Sequence, residues 1–589
     1  MGFDADDVEL GVLLLENKIV YRIPRYQRPY SWAKEEVGNL WDDLIEADDS
    51  EKPLFFGSVI LYDGEEGSSE MAIVDGQQRF TTLTILFSAI RDELLGLGEV
   101  GSALANRIQG DLIETKVSFG ERKEKLRVQE EVSRYFQEHY QRVPGPRDRK
   151  TPKRPSMKRM HVAYKLFRGR ISELVGRMSD EEAAVSRLDR LTKSINKTRL
   201  IQITVSEQDE AYSIFETVNA RGSPLEPSDL IKNHIFRNIR EEGGVDSAKD
   251  RWEEMKSNLT GFDDDPEKEY DLTKFIRYHW MSKYGFTTVK DLYGNIKNSG
   301  IDMESFLDDL VSDSRTFGDI LNSRLKAYFK DPLIYKFRRE AEASLSNISD
   351  MKIEQSYVFI LSILRNVDSL LKLKGKHRVH KALERIEVFN FVYHGVCSLP
   401  ANRVEHLYSR CARTLDKSCN APNQPKKLAF ESLYSGFDGI WPSEELFVEN
   451  FSELSYKKSF KARSTVRYIL SQFEYHNSTE ELKINRDITI EHVLPQKPSK
   501  WGLSDKEVSK YVHNIGNLVL LSRPLNGDVG NDPLETKLVE LGKSELKMTR
   551  GLVDQIYSSG TPPSWGKREI EQRSADLAAR GYREIWAVE

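Results

Sequence analysis

The chain has 589 residues, of which 39% are apolar and 31% charged, and a formal net charge of −6. At about 100–200 residues per domain that length excludes a single small domain. The small net charge excludes polyanion binding by bulk charge, so any nucleic-acid contact has to come from local basic patches.

Three cysteines, Cys397, Cys411 and Cys419, form no CxxC pair, which argues against a disulfide framework or a zinc ribbon. They read as small buried side chains in a reducing cytoplasm. The N-terminus is acidic and its apolar run covers only Val12 to Leu15, unlike a signal peptide. No stretch approaches the roughly 20 apolar residues of a membrane span. A cytoplasmic protein with no membrane partner is expected.

Short, β-rich, turn-bounded runs predict strands at Tyr21–Ile23, Phe55–Tyr62 and Met71–Val74. Pro24 and Pro29 bracket a loop of aromatic and basic residues. Asp75-Gly76 predicts a turn, and Leu83, Leu86, Phe87, Ile90 and Leu94 predict a helix over Phe80–Leu95. Residues 141–159 carry eight Lys or Arg and four Pro, which is either a solvated linker or a phosphate-contacting loop. Ile201–Val205 predicts a strand, and Glu210–Val218 and Ser228–Ile239 predict helices around a break at Asn219–Gly222. From about 245 to 480 the pattern is almost wholly helical, as in Tyr357–Leu373 and Val379–Tyr393, with an acidic surface loop at Asp263–Asp265. Strands at Ile488–Ile490 and Leu518–Leu521 and a helix at Pro533–Leu541 then follow. Three segments result: 1–240, a helical 241–425, and 426–589.

Phosphodiester cleavage needs a base to activate water, a cation to neutralise the phosphate, a group that orients the base, and a scaffold. A strand-end Glu491-His492 pair offers two of these from adjacent positions, an oxygen ligand and a base. Asn517, 25 residues after His492, can hold the His loop by hydrogen bonds to its backbone. Asn526, nine residues further on, offers a neutral oxygen ligand facing Glu491, with Asn531 as the alternative. Oxygen ligands favour Mg²⁺ or Mn²⁺ over Zn²⁺. Gly542-Lys543-Ser544 resembles the end of a P-loop, but Lys537 stands where the first glycine is required, and a helix rather than a strand precedes it.

The blocks Glu491-His492-Val493-Leu494-Pro495-Gln496, Ile515 to Ser522, and Leu525-Asn526 resemble HNH (His-Me finger) nucleases, in the variant whose last His is replaced by Asn. They are similar above all to the C-terminal domain of the GmrSD family of modification-dependent restriction proteins. Trp501, Gly516, Asn517, Asn526, Asn531 and Lys537 match its usual pattern over roughly residues 430–560.

Asp75-Gly76-Gln77-Gln78-Arg79 sits between a predicted strand and helix. A helix N-terminus favours an anion and Arg79 could add a bidentate phosphate contact; the plain alternative is an Asp-Gly turn capping a helix. Arg22 to Trp32, this DGQQR block, and Phe215 to Asn233 resemble the N-terminal domain of the same family, which has a ParB/sulfiredoxin-like fold. The resemblance implies a nucleotide site at Asp75, Gly76, Gln77, Gln78 and Arg79, with Gln78 and Arg79 catalytic, completed by Asn219, Arg221, Asp229 and Lys232. It also implies that Tyr26, Gln27, Arg28, Tyr30 and Trp32 sense DNA or its modification. The alternative for that loop is packed aromatic structure.

The expected fold is α+β and predominantly helical: a ParB/sulfiredoxin-like N-terminal domain, a helical middle and an HNH (ββα-metal) C-terminal domain. The expected function is nucleotide-dependent, modification-sensing cleavage of double-stranded DNA in anti-phage defence, with His492 as base, Asn517 fixing its loop, Glu491 and Asn526 holding Mg²⁺ or Mn²⁺, and GTP or ATP hydrolysed in the N-terminal domain. A phosphorothioate-stimulated NTPase that nicks non-self DNA, and a regulatory NTP-binding protein with an idle nuclease, stand as alternatives. A homodimer is left open.

Overall fold

A six-stranded mixed sheet organises the N-terminal unit. Its strands are β1 (Asp4–Glu9), β2 (Val20–Arg22), β3 (Phe55–Tyr62), β4 (Glu70–Asp75), β5 (Leu126–Arg127) and β6 (Arg199–Val205), in the order β1-β6-β3-β4-β2-β5. The β1–β6 and β3–β4 pairs are antiparallel; β3–β6, β2–β4 and β2–β5 are parallel. The computed structural model describes residues 4–587 apart from 17–18, 26, 63–69, 119–120, 145–151, 206–225, 240–245, 263–264, 331–333, 422–424, 457–459 and 479–486. The chain divides into two units, Met1–Arg237 and Asn238–Glu589.

After the first helix, α1 (Lys34–Ser50), the helix α2 (Gln77–Leu94) starts directly after β4 and is buried on nearly every side. A helix apolar all round belongs at the centre of a core, and here Phe80, Leu83, Leu86, Phe87 and Ile90 join the main N-terminal cluster. Its threonines satisfy themselves locally: Thr81, Thr82 and Thr84 each donate to the carbonyl four residues back, at 2.8, 2.7 and 2.9 Å. Ile60, Val74 and Val205 form a smaller cluster, against which Leu230 of α3 (Pro227–Asn238) packs.

In the second unit, helices dominate from 247 to 477, interrupted among the described residues by the short strand pair Thr260–Phe262 and Asp265–Glu269. Periodicity missed this pair because Asp265-Pro-Glu-Lys-Glu269 has no β-branched or aromatic residue; the pairing with Thr260–Phe262 makes it a strand. Arg365 ties the helix bundle together. Its guanidinium meets Asp416 at 2.6 Å and also Asp313, which accepts from buried His279 at 2.6 Å. Cys397 and Cys411 are buried, and burial pushes their thiols up to about 11 and about 12.

The chain then forms β7 (Ile488–His492), antiparallel to β8 (Leu518–Ser522), followed by the helices α4 (Arg523–Val529), α5 (Leu534–Gly542), α6 (Lys547–Ser558) and α7 (Lys567–Arg580). The whole is an α+β chain, mostly helical with small mixed sheets. Among the described residues no helix is long and apolar enough to cross a membrane.

Candidate functional site

β7 and β8 bring the ends of the C-terminal motif together. The register pairs His492 with Leu518 and Glu491 with Val519, so Asn517 stands one residue before β8, opposite the loop that leaves His492. Asn517 is fully buried, and both ends of its amide are used. Its Oδ1 accepts from Leu494 N at 2.8 Å and Trp565 Nε1 at 3.0 Å. Its Nδ2 donates to Leu494 O at 2.9 Å and Val512 O at 2.7 Å. The backbone Val493 N adds a bond to Asn517 O at 3.0 Å. Arg573 of α7 braces the same segment, donating to Gly516 O at 2.6 Å and Leu518 O at 2.9 Å. Gly516 is required here because a Cβ at that position would lie 2.0 Å from Ile570 O.

His492 is 5% exposed. Its Nε2 meets His513 Nδ1 at 3.1 Å and its Nδ1 meets Gln496 Nε2 at 3.3 Å. Burial first, then His513 and Lys537, hold its pKa down at about 3, so the ring is neutral at neutral pH. Tyr456 packs edge-on to it at 5.6 Å.

Glu491 is anchored by a residue to which sequence reading gave no role. Lys537, on α5 and fully buried, donates to Glu491 Oε1 at 2.7 Å and to His492 O at 2.6 Å. Burial lowers the Lys537 pKa, against the pull of Glu491. Asn526, on α4, donates to Thr489 Oγ1 at 2.8 Å. Thr489 and Glu491 lie two residues apart on β7, on one face. Those bonds engage Glu491 Oε1 and Asn526 Nδ2 rather than Glu491 Oε2 and Asn526 Oδ1. A carboxylate on β7 and an amide on a helix bonded to β7 could supply oxygen ligands to a hard cation that keeps waters and takes phosphate oxygens. Among the described residues no group of three or more His, Cys, Asp or Glu gathers to cage a metal alone. Asn531 is exposed, in a segment held by Trp501 Nε1 donating to Asp532 O at 2.8 Å.

At the other candidate site, Gly76 takes φ +100° to turn β4 into α2, a left-handed conformation that suits glycine. Arg79 donates to Phe56 O at 2.6 Å and to Asp75 Oδ2 at 3.2 Å. Burial lowers its pKa while Asp75 raises it. Gln77 and Gln78 are buried. Gln78 clamps the preceding loop: its Oε1 accepts from Ser31 N at 2.8 Å and its Nε2 donates to Pro29 O at 3.3 Å. Asp229 and Lys232 lie on α3, Lys232 over the Phe236 ring at 5.2 Å. Asn219 and Arg221 lie outside the described residues, as does Tyr26.

The aromatic loop turns inward at two of its expected DNA contacts. Gln27 is 3% exposed and donates to Val74 O at 2.7 Å; Tyr30 is 3% exposed with its hydroxyl 2.9 Å from Thr82 Oγ1. Both side chains are thus packed inward in this structure, Tyr30 against α2 and Gln27 against β4. Arg28 and Trp32 are half-buried and retain solvent access. Sequence reading also passed over His513, although a second histidine four residues before Asn517 was the signal.

Two family models match the chain. The GmrSD restriction endonuclease N-terminal domain matches residues 10–236, and the GmrSD restriction endonuclease C-terminal domain matches residues 441–580. The class is thus that of the restriction endonucleases, nucleases of phage defence. The chain belongs to the GmrSD family and carries both of its domains in one polypeptide. No curated protein matches it.

Proposed function

We propose that the chain is a nucleotide-dependent, modification-sensing endonuclease of double-stranded DNA, cytoplasmic, with HNH-type chemistry in its C-terminal unit. The observation that carries this reading is the buried Asn517 amide holding the loop that leaves His492, with four hydrogen bonds on three residues. A base must be held within a fraction of an ångström to act on water, and a buried, fully satisfied amide does that.

In this reading His492 accepts a proton from water as the water oxygen bonds to phosphorus. The bond from phosphorus to the leaving sugar oxygen breaks, and that oxygen takes a proton from solvent. Glu491 and Asn526 are the residues to hold Mg²⁺ or Mn²⁺, which when bound neutralises phosphate charge. Lys537 holds Glu491 in place through Oε1 and leaves Oε2 for the cation. Asn517 keeps the His492 loop in register, and Asn531, exposed, is the weaker ligand candidate.

For the N-terminal unit the proposal is a ParB/sulfiredoxin-like domain hydrolysing GTP or ATP at the Asp75–Arg79 turn. Arg79 would exchange Asp75 for a phosphate, and Asp229 and Lys232 are the described candidates to complete the site. Because Gln78 bonds the backbone of the aromatic loop, nucleotide at this turn and DNA at that loop would share one support. Among the described residues of that loop, Arg28 and Trp32 are the expected contacts that keep solvent access to meet DNA. Nicking of supercoiled plasmid and release of phosphate, measured in parallel on unmodified, base-modified and phosphorothioated DNA with and without EDTA, test the proposal. Cation-dependent nicking supports it; nucleotide hydrolysis without any DNA cleavage would instead favour a regulatory protein with an idle nuclease.

A further inference from the structure

The centre contains a second histidine whose placement is as constrained as that of the first. His513 sits on a pinned stretch of backbone. Its own carbonyl accepts from Tyr456 N at 2.8 Å, Val512 O accepts from Asn517, and Ile515 N donates to Leu454 O at 3.1 Å. The neighbouring Asn514 donates to Ser452 O and accepts from Gly516 N, both at 2.8 Å. The ring is thereby set edge-on to His492, with centroids 5.2 Å apart and planes at 79°, and Nδ1 at 3.1 Å from His492 Nε2.

A neutral imidazole has one N–H and one lone pair, so what each ring nitrogen meets decides which tautomer exists. Gln496 Nε2 can only donate, and it lies 3.3 Å from His492 Nδ1. Nδ1 is then the acceptor, the His492 proton sits on Nε2, and it is donated to His513 Nδ1. The lone pair that takes a proton from water is the one on Nδ1, where Gln496 now sits.

We infer that His513 is a positioning residue for the cleavage reaction: it accepts the Nε2 hydrogen of His492 and so fixes the tautomer that leaves Nδ1 basic. This rests on the reading of His492 as the general base. Carboxylates and carbonyls commonly stand behind functional imidazoles in this way; here a second imidazole does so. The role asks only for a hydrogen-bond acceptor at the His513 Nδ1 position. An asparagine amide oxygen can supply one and an alanine cannot.

The test uses the full chain with His513→Ala, His513→Asn and His492→Ala, assayed for plasmid nicking at saturating DNA and Mn²⁺. Histidine-selective ¹⁵N labelling with long-range ¹H–¹⁵N correlation reads the His492 tautomer directly. Loss of an outer partner typically costs about 10–100-fold. His513→Ala is therefore expected to lower kcat by that factor with KM within about twofold, and His513→Asn to recover most of the loss. Wild type should show the His492 proton on Nε2, with mixed tautomers in His513→Ala. Unchanged kcat in His513→Ala, no recovery in His513→Asn, or a wild-type proton on Nδ1 would each overturn the inference. If His492→Ala nicks like wild type, the base assignment itself fails, and the tautomer spectrum still reports whether His513 sets it.

Discussion

Replacing Asn517 with alanine removes four hydrogen bonds at once and leaves Leu494 N, Leu494 O, Val512 O and Trp565 Nε1 buried without that partner. At about 0.5–1.5 kcal/mol net per bond the loss is roughly 4 kcal/mol, before any term for the space left behind. For a large folded unit that corresponds to roughly 2 °C per kcal/mol, so the calorimetric transition of the C-terminal unit should fall by roughly 8 °C. Asn517→Asp is the sharper probe. It keeps the shape and the two bonds to Oδ1, but sets an oxygen against the Leu494 and Val512 carbonyls, so it should destabilise at least as much. Because the clamp holds the loop after His492, misplacement by about 1 Å should also lower nicking about 100-fold in protein that remains folded. If Asn517→Ala melts within about 1 °C of wild type and nicks within about twofold, the clamp is not what holds the centre.

Arg79→Ala should reduce nucleotide hydrolysis by roughly 10²–10³ while cation-dependent nicking persists; hydrolysis at the wild-type rate would make the Asp75–Arg79 turn purely structural. Tyr30→Phe should cost about 1 kcal/mol of stability through the lost Thr82 bond and leave discrimination between modified and unmodified DNA unchanged, as titration of both DNAs would show. Glu387 is a buried carboxyl raised from 4.5 to about 7, by burial first, against hydrogen bonds from Ser344, Asn347 and Tyr468. The raised folded value means that its contribution is fully present below about 4.5 and is lost as pH rises through about 7. At about 1.4 kcal/mol per pH unit this amounts to roughly 3 kcal/mol. Glu387→Gln cannot ionise, so denaturation curves at pH 5 and pH 8 should show the variant gaining on wild type at the higher pH; parallel pH dependence would refute the assignment.

Local chemistry made part of this architecture legible. Phe55–Tyr62 is β-rich along its whole length and forms the predicted strand, and the DG turn and the apolar spacing after it give α2. Glu491, His492 and Asn517 could be read because adjacent strand positions and a paired strand place them with no long-range information. Partner choice was not legible. The acidic run Asp4–Glu9 carries no strand signal of its own, and it is a strand because the edge of β6, nearly 200 residues away in sequence, pairs with it. The inward packing of Tyr30 and Gln27 was not legible either, because period and composition do not reveal which side chains of a loop meet the neighbouring helix and strand. Lys537 matched the family pattern, yet only the packing of α5 shows that its ammonium reaches both Glu491 and the His492 carbonyl.

The assignment to be tested is His492 as the base for phosphodiester hydrolysis. Its most direct measurement is the nicking rate of His492→Ala on supercoiled plasmid with Mn²⁺, at matched folded protein and matched DNA binding. The rate is expected to fall by about 10²–10⁴ with nucleotide hydrolysis in the N-terminal unit intact. Cleavage at the wild-type rate would contradict it.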